Sequence, residues 1–138
     1  MTATLTKVAA QMVDELVDES AIEAAYDGEI TKSTQYPYVE IHFGDFVVLE
    51  RMDTDLSNYI DWTGTVFLII TAKTLDAARI GQETVWNTFI PLSSDLSALG
   101  VKYIIPQRMS PPGAVDGADN REFQSSVEAK IMIRYDYT

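Results

Sequence analysis

Few side chains in this sequence have the types and the spacing that chemistry requires. His42 is the only histidine, and it has no obvious companion for a catalytic base or a metal site, so we interpret it as a partly exposed strand residue. Asp53 and Asp55 resemble the start of a calcium loop. However, the sixth position is Asn58 where such a loop needs glycine, and the twelfth is Gly64 where it needs glutamate. The commoner interpretation of this region is a loop that joins two strands.

The other common catalytic patterns are missing from the sequence. It contains no cysteine, which removes disulfides, thiolate metal sites and cysteine nucleophiles. It also lacks a two-histidine zinc motif, a Gly-x-Ser-x-Gly elbow and a glycine-rich phosphate loop followed by lysine. Carboxylate pairs exist, but none lies in an apolar setting that would raise one pKa. We therefore predict no catalytic residue, no cofactor and no metal site, and expect a protein that works through its surface.

Length and charge narrow the class of protein further. A chain of 138 residues without a Pro/Gly/Ser linker predicts a single domain over residues 1–138. A formal charge of −11 argues against a groove that grips phosphates, although DNA could pass through an acidic channel without binding. The acids could also serve solubility or a salty habitat. No apolar run approaches the length of a membrane span and no signal peptide is recognisable, so we expect synthesis in the cytoplasm and no membrane partner.

The centre of the fold is predicted between residues 62 and 91. Residues 65–72 are almost continuously apolar or β-branched, as in a strand in the middle of a sheet. From Leu75 onward the apolar residues follow helical spacing, with Thr74 as a plausible N-cap and Pro91 marking the end of the helix. A strand that leads into a helix folded back over it would be the nucleus of the core.

The first part of the chain predicts a second helix and a hairpin. Residues 4–19 carry one apolar stripe, and their acidic face is either solvated or a surface for a charged partner. Residues 21–26 either continue this helix or form another turn, with Gly28 as the stop. Residues 36–43 alternate as a strand, Gly44 and Asp45 suggest a tight turn, and residues 46–50 would pair back. Residues 51–61 are predicted to form a loop.

The last part of the chain predicts two more strands. Residues 92–99 suggest a short helical turn closed by Gly100, and residues 101–106 a short strand stopped by its proline. Residues 108–120, which contain Pro-Pro-Gly, are predicted to form a long loop. From about Glu122 to the end, strict alternation predicts the clearest strand of the chain. The predicted fold is α+β, with a mixed or antiparallel sheet of about four or five strands flanked by two main helices.

In layout, the chain resembles the tail-terminator proteins of long-tailed phages and phage-like particles. The similarity runs over an N-terminal helix, the segment Tyr-Pro-Tyr-Val-Glu-Ile-His-Phe-Gly-Asp-Phe (residues 36–46), Asp53-Thr-Asp55, the strand from Gly64, the helix from Leu75 and the final amphipathic strand. The resemblance implies a structural virion protein without enzymatic activity. Such proteins form a ring, expected to be hexameric, on the head-proximal end of the tail tube, where they stop its polymerisation and form the surface that joins head and tail.

The resemblance also implies partners and a location. We expect contacts with other copies of the chain, with the tail-tube protein and with a head-completion or neck protein, while DNA passes through the ring without specific binding. The expected location is the tail or neck of the virion. From loop placement and exposed aromatic residues we predict these interface residues: Asp53, Asp55, Tyr59, Trp62, Arg108, Asp116, Asp119 and Arg121. The alternatives are another neck component, such as a head-completion or stopper protein, and a cellular module that binds a small molecule or a protein.

Overall fold

The structure of the protein is a computed structural model that describes residues 5–28, 35–49, 59–116 and 121–136. Its helices are α1 (Leu5–Val17), α2 (Leu75–Thr88) and α3 (Ser94–Ala98). Its strands are β1 (Ala24–Asp27), β2 (Tyr38–Val48), β3 (Tyr59–Ala72), β4 (Val101–Asp116) and β5 (Arg121–Asp136). The predicted α+β class is confirmed.

All the described strands form one mixed sheet in the order β1-β2-β3-β5-β4. The β1–β2 pair is parallel and the other pairs are antiparallel. The prediction that residues 65–72 form the middle strand is confirmed, because β3 lies at the centre, although it begins earlier, at Tyr59. β5 lies between β3 and β4, so β1 and β4 are the two edges of the sheet.

The helices cover one face of the sheet and enclose the core. α1 packs against β1, while α2 packs against β3, β5 and β4. Alternate residues of β5, from Val127 to Ile133, are buried under these helices, as the alternation in the sequence predicted. α2 approaches the sheet closely, because a Cβ added at Gly81 would lie 3.0 Å from Cγ2 of Ile70. The other face of the sheet carries no helix in the described residues, and its side chains there are mostly half-buried or exposed.

The predicted ends of the main helices agree with the structure to within a turn. The Thr74 hydroxyl accepts a hydrogen bond from the Ala77 N–H at 3.1 Å, so it caps α2 as predicted and satisfies one of the first free donors. Asp76 adds a negative charge in the first turn, where the helix dipole favours it. The short helix after Pro91 is confirmed as α3, and Gly100 follows it with a positive φ of 95°.

The predicted hairpin turn at Gly44 and Asp45 is wrong. β2 runs straight through these residues, and the register with β3 shifts between Phe43 and Phe46, so that the strand contains a β-bulge. A glycine inside a strand is a common sign of a bulge, and Gly-Asp alone does not distinguish the bulge from a turn. The second arm of the predicted hairpin is therefore the end of β2, and β3 is its antiparallel partner.

The prediction that the strand from Val101 stops at Pro106 is also wrong. β4 continues to Asp116, with register shifts after Val101, Pro106 and Ser110, so most of the predicted loop at residues 108–120 is strand. A proline cannot donate a ladder hydrogen bond, but an edge strand has one side on which no bond is required. The prolines thus marked an edge strand rather than the end of a strand.

Residues 21–26 neither continue the helix nor form only a turn, because Ala24–Asp27 is β1. This strand pairs with the first residues of β2, from Tyr38 to Ile41. Gly28 ends a strand rather than a helix; it has a φ of 93° and its N–H donates to the Ile41 carbonyl at 2.8 Å. Residues 59–61 of the predicted loop belong to β3, and the rest of that prediction lies outside the described residues.

Candidate functional site

The residues predicted as interface residues do not converge on one site. Tyr59 and Trp62 lie at one end of the sheet, which we call the β2–β3 end and which includes Val48 opposite Trp62. Asp116 and Arg121 pair with each other at the opposite end, which we call the β4–β5 end. β3 has 14 residues, so the two ends lie roughly 45 Å apart. Asp53, Asp55 and Asp119 lie outside the described residues.

An ion pair closes the β2–β3 end. Arg134 donates two hydrogen bonds to Asp61, from Nε to Oδ1 at 2.9 Å and from Nη2 to Oδ2 at 3.1 Å, across directly paired positions of β5 and β3. This bidentate geometry fixes the guanidinium in one orientation. Trp62 lies one residue further along β3, and its Nε1 is buried with no hydrogen-bond partner among the described residues. The Arg134–Asp61 pair therefore joins β5 to β3 next to Trp62, whose indole N–H has no acceptor in the described part of the chain.

A group of tyrosines marks the start of β2, near the β4–β5 end. The rings of Tyr36 and Tyr38 lie 5.4 Å apart, and those of Tyr26 and Tyr38 lie 6.0 Å apart. The Lys73 ammonium lies 4.4 Å from the centre of the Tyr36 ring, a cation–π distance. A hydrogen bond to Glu122, with a smaller contribution from burial, raises the pKa of Tyr36 to about 12. Burial is also the main cause of the raised pKa of Tyr38. Both phenols stay protonated at neutral pH and can act as donors.

Arg108 lies away from both ends, within β4. Its Nε is 3.9 Å from Oε2 of Glu128 on β5, and its side chain is 75% exposed. An exposed ion pair at this distance contributes little to stability, so Arg108 remains available to a partner. His42 lies in a strand, as predicted, with its Nε2 4.0 Å from Oε2 of Glu40. Neither pair resembles the acid–base machinery of an enzyme.

Charge is distributed unevenly between the two edges of the sheet. The segment of residues 5–28 includes α1, β1 and the residues between them. It contains six acidic residues and one lysine, a net charge of −5. β4, on the opposite edge, contains Lys102, Arg108 and Asp116, a net charge of +1. The sequence predicts the acidic face of the first helix, but it does not by itself predict a complementary edge. The available signal was that five of the ten basic residues follow residue 100.

The described residues contain no group of three or more histidine, cysteine, aspartate or glutamate side chains that could hold a metal ion. Among the helices described here, none has the length and apolar character needed to span a membrane.

The fold has a counterpart among solved structures. It matches one chain in the structure of the virion of a native gene transfer agent particle, with a TM-score of 0.56. The alignment covers 96% of this chain and 95% of the other chain at 12% sequence identity. At this identity, the match shows that the two chains share a fold. By sequence, the chain matches no known family and no curated protein.

Proposed function

We propose that this protein is a structural component of a phage or phage-like virion and, within it, the tail terminator. In this role it forms a ring on the head-proximal end of the tail tube, ends the polymerisation of the tube and provides the surface that joins tail and head. It carries out no catalysis. Its partners are other copies of itself, the tail-tube protein and a head-completion or neck protein.

The observation that carries this proposal is the end-to-end match to a chain of the gene transfer agent virion. Because the alignment leaves almost nothing of either chain uncovered, the likeness concerns a whole domain and not a common substructure such as a hairpin. The layout of the sequence independently resembles tail terminators. The two lines of support agree on a virion part, and the resemblance selects the terminator among the possible parts.

The placement of the predicted interface residues also supports a part that joins two neighbours. A joint between tube and head needs two separate contact surfaces that face in opposite directions. Val48 and Tyr59, which lie on either side of residues 50–58, and Asp116 and Arg121, which lie on either side of residues 117–120, are at opposite ends of the sheet. We propose that one end of the sheet contacts the tail tube and that the other contacts the neck.

The acidic composition supports the passage of DNA through the ring. A protein that binds a duplex uses lysine and arginine to displace counterions from phosphates. This chain has 21 acidic and ten basic residues. An acidic channel would repel the duplex and let it slide during ejection without sticking to the wall.

The test is electron microscopy of tail-tube assembly. The tube protein from the same particle is polymerised alone and with this protein, and tube lengths and ends are measured. We expect shorter tubes that carry extra density at one end and no longer grow when fresh tube protein is added. Tubes that grow unchanged, with no added density at either end, would contradict the proposal. Density on a neck or portal complex, with tubes unaffected, would identify another neck component instead.

A further inference from the structure

The side of the domain at β1, one of the two edges of the sheet, carries exposed carboxylates that can contact a partner. Asp14 on α1, Asp18 and Glu23 after it, and Asp27 on β1 are exposed, and none forms an ion pair within the described part of the chain. Because α1 packs on β1, which is the last strand on this side, these carboxylates belong to one side of the domain. We call these four residues the acidic edge. Exposed Val17 places an apolar side chain among them.

The opposite edge of the sheet, formed by β4, carries exposed cationic and apolar side chains. Lys102 and Arg108 are exposed on β4, and Lys102 has no ion pair within the described residues. Ile105 and Met109 on the same strand are 49% and 38% exposed. We call these four residues the basic edge. It is therefore opposite in charge to the acidic edge, and like that edge it also exposes apolar side chains.

Edge-to-edge strand pairing is not the form that a contact at β4 would take. β4 has three register shifts and contains Pro106, Pro111 and Pro112, which interrupt the row of backbone donors that a further strand would need. A partner must therefore be held by side chains. This also protects the edge against uncontrolled growth of the sheet.

The two edges cannot satisfy each other within one molecule. Four strand-to-strand spacings separate β1 from β4, which is roughly 19 Å across the sheet. A second copy of the chain, in contrast, offers a surface of the required sign at each edge. Two copies with a charge of −11 repel one another as whole bodies, so any contact between them is favoured where it places the few cations against carboxylates.

We propose that the acidic edge of one copy binds the basic edge of the next copy, head to tail. Such a contact is heterologous, because it joins two different surfaces, and it repeats around a closed ring when the rotation between neighbours divides a full turn. The inference rests on the proposed ring-forming function and assigns the surfaces that would make the ring. It leaves the two ends of the sheet free for the tube and the neck.

A charge-swap experiment tests this contact. One variant carries Asp14→Lys with Asp18→Lys, and a second carries Lys102→Glu with Arg108→Glu. Self-association is measured by sedimentation velocity over a series of concentrations at physiological salt, where screening leaves mainly local charge pairs. We expect the wild-type protein to associate and each variant alone to bind itself at least about tenfold more weakly.

Recombining the altered edges should restore association. In an equimolar mixture of the two variants, every edge that carries the two new lysines meets an edge that carries the two new glutamates, and copies alternate around the ring. The chain that carries all four substitutions should also associate. A control with Asp76→Lys and Glu83→Lys on α2 has the same charge change as the first variant but alters neither edge. It should associate like the wild-type protein.

Several outcomes would overturn the inference. These are a wild-type chain that stays monomeric at every concentration, variants that associate as well as the wild type, or a mixture without recovery. Thermal unfolding confirms that each variant is folded. If a reversed variant does not fold, the neutral pairs Asp14→Asn with Asp18→Asn and Lys102→Gln with Arg108→Gln replace it, and each should weaken association. Association unchanged by these neutral pairs would equally overturn the inference.

The tube assay separates failure of this contact from failure of the proposed function. Capping of tubes by variants that behave like the wild type in sedimentation would reject the contact and keep the terminator. The full charge-swap pattern without any effect of the wild-type protein on tubes would keep the contact and reject the terminator.

Discussion

Substitution of Gln82 tests how α2 holds β4, the strand that carries the basic edge. Its side chain is only 6% exposed, on the face of α2 that packs on the sheet. Its Nε2 donates to the Ser110 carbonyl of β4 at 2.6 Å and to the Ser126 carbonyl of β5 at 2.9 Å. These two serines are paired immediately before the third register shift of β4. One amide thus joins the helix to both strands at an irregular point of the ladder.

We expect Gln82→Leu to destabilise the protein by about 2 to 4 kcal/mol. The substitution keeps the approximate volume but removes two hydrogen bonds and leaves two carbonyls without this donor, each at a cost of about 1 to 2 kcal/mol. For a domain of this size the melting temperature should fall by roughly 10 °C. Because the contact holds β4, self-association through the basic edge should weaken before the whole fold is lost.

Gln82→Glu should add a pH dependence to this loss. At neutral pH the new carboxylate would face two carbonyl oxygens without a proton to donate, so its pKa in the folded protein should rise above the ordinary value of about 4.3. A raised pKa means that the folded state favours the protonated form. The destabilisation relative to the wild type should therefore be largest at neutral pH and become smaller as the pH falls through the raised pKa.

The assay is urea unfolding followed by circular dichroism, at neutral pH and near pH 4.5, for the wild type and both variants. Glu83→Gln is the matched control, because Glu83 is the next residue of α2 and is exposed; its effect should stay within about 0.5 kcal/mol. A loss below about 0.5 kcal/mol in Gln82→Leu, or a Gln82→Glu loss that does not depend on pH, would refute the role assigned to this amide.

Three further predictions concern the sheet and its charged groups. Gly64→Val should lower the free energy of unfolding in urea by about 1 to 3 kcal/mol, because a Cβ at Gly64 would lie 2.8 Å from the ring of Phe46. A Cβ at Gly113 would have no atom within 4 Å, so Gly113→Ala should leave this free energy nearly unchanged. Equal effects of the two substitutions would contradict this prediction. The pKa of Tyr36 in the folded protein is about 12, above its ordinary value of 10.0, so the stability that this group contributes is complete below pH 10 and is lost as the pH rises to 12. In Glu122→Gln, a titration followed by phenolate absorbance should show this pKa lowered. Asp61→Asn should destabilise the protein by about 1 to 2 kcal/mol, because the amide offers the half-buried Arg134 one acceptor oxygen and no charge in place of a bidentate carboxylate. Urea unfolding that matches the wild type would exclude such a role.

Much of the fold could be predicted because its signals are local. The alternation of buried residues in β5, the apolar run of β3 and the Thr74 cap of α2 each depend on a few neighbouring residues. The errors arose where one local signal fits two structures. Gly44 and Asp45 suit a turn or a bulge, and Pro106 suits the end of a strand or the edge of a sheet. Only the pairing of distant strands decides between these alternatives.

The candidate surfaces were less predictable, because they depend on strand order. The sequence contains the acids of α1 and the cations of β4, but it does not show that these elements lie at opposite edges of one sheet. The insertion of β5 between β3 and β4 creates that arrangement. The sequence predicts Tyr59 and Trp62 as exposed aromatic residues near a loop, whereas the structure places both within β3.

The position of β5 also has a consequence for synthesis on the ribosome. β4 leaves the ribosome before β5, yet its neighbour in the described sheet is β5 alone. The growing chain can dock β1, β2, β3 and the helices while β4 remains unpaired, and until β5 has been made the open side of β3 is an edge with which β4 can mispair. The prolines of β4 remove donors that such a mispaired ladder would use. The prolines of β4 that prevent strand addition at the edge of the folded domain thus also help to keep β4 unpaired until β5 has been synthesised.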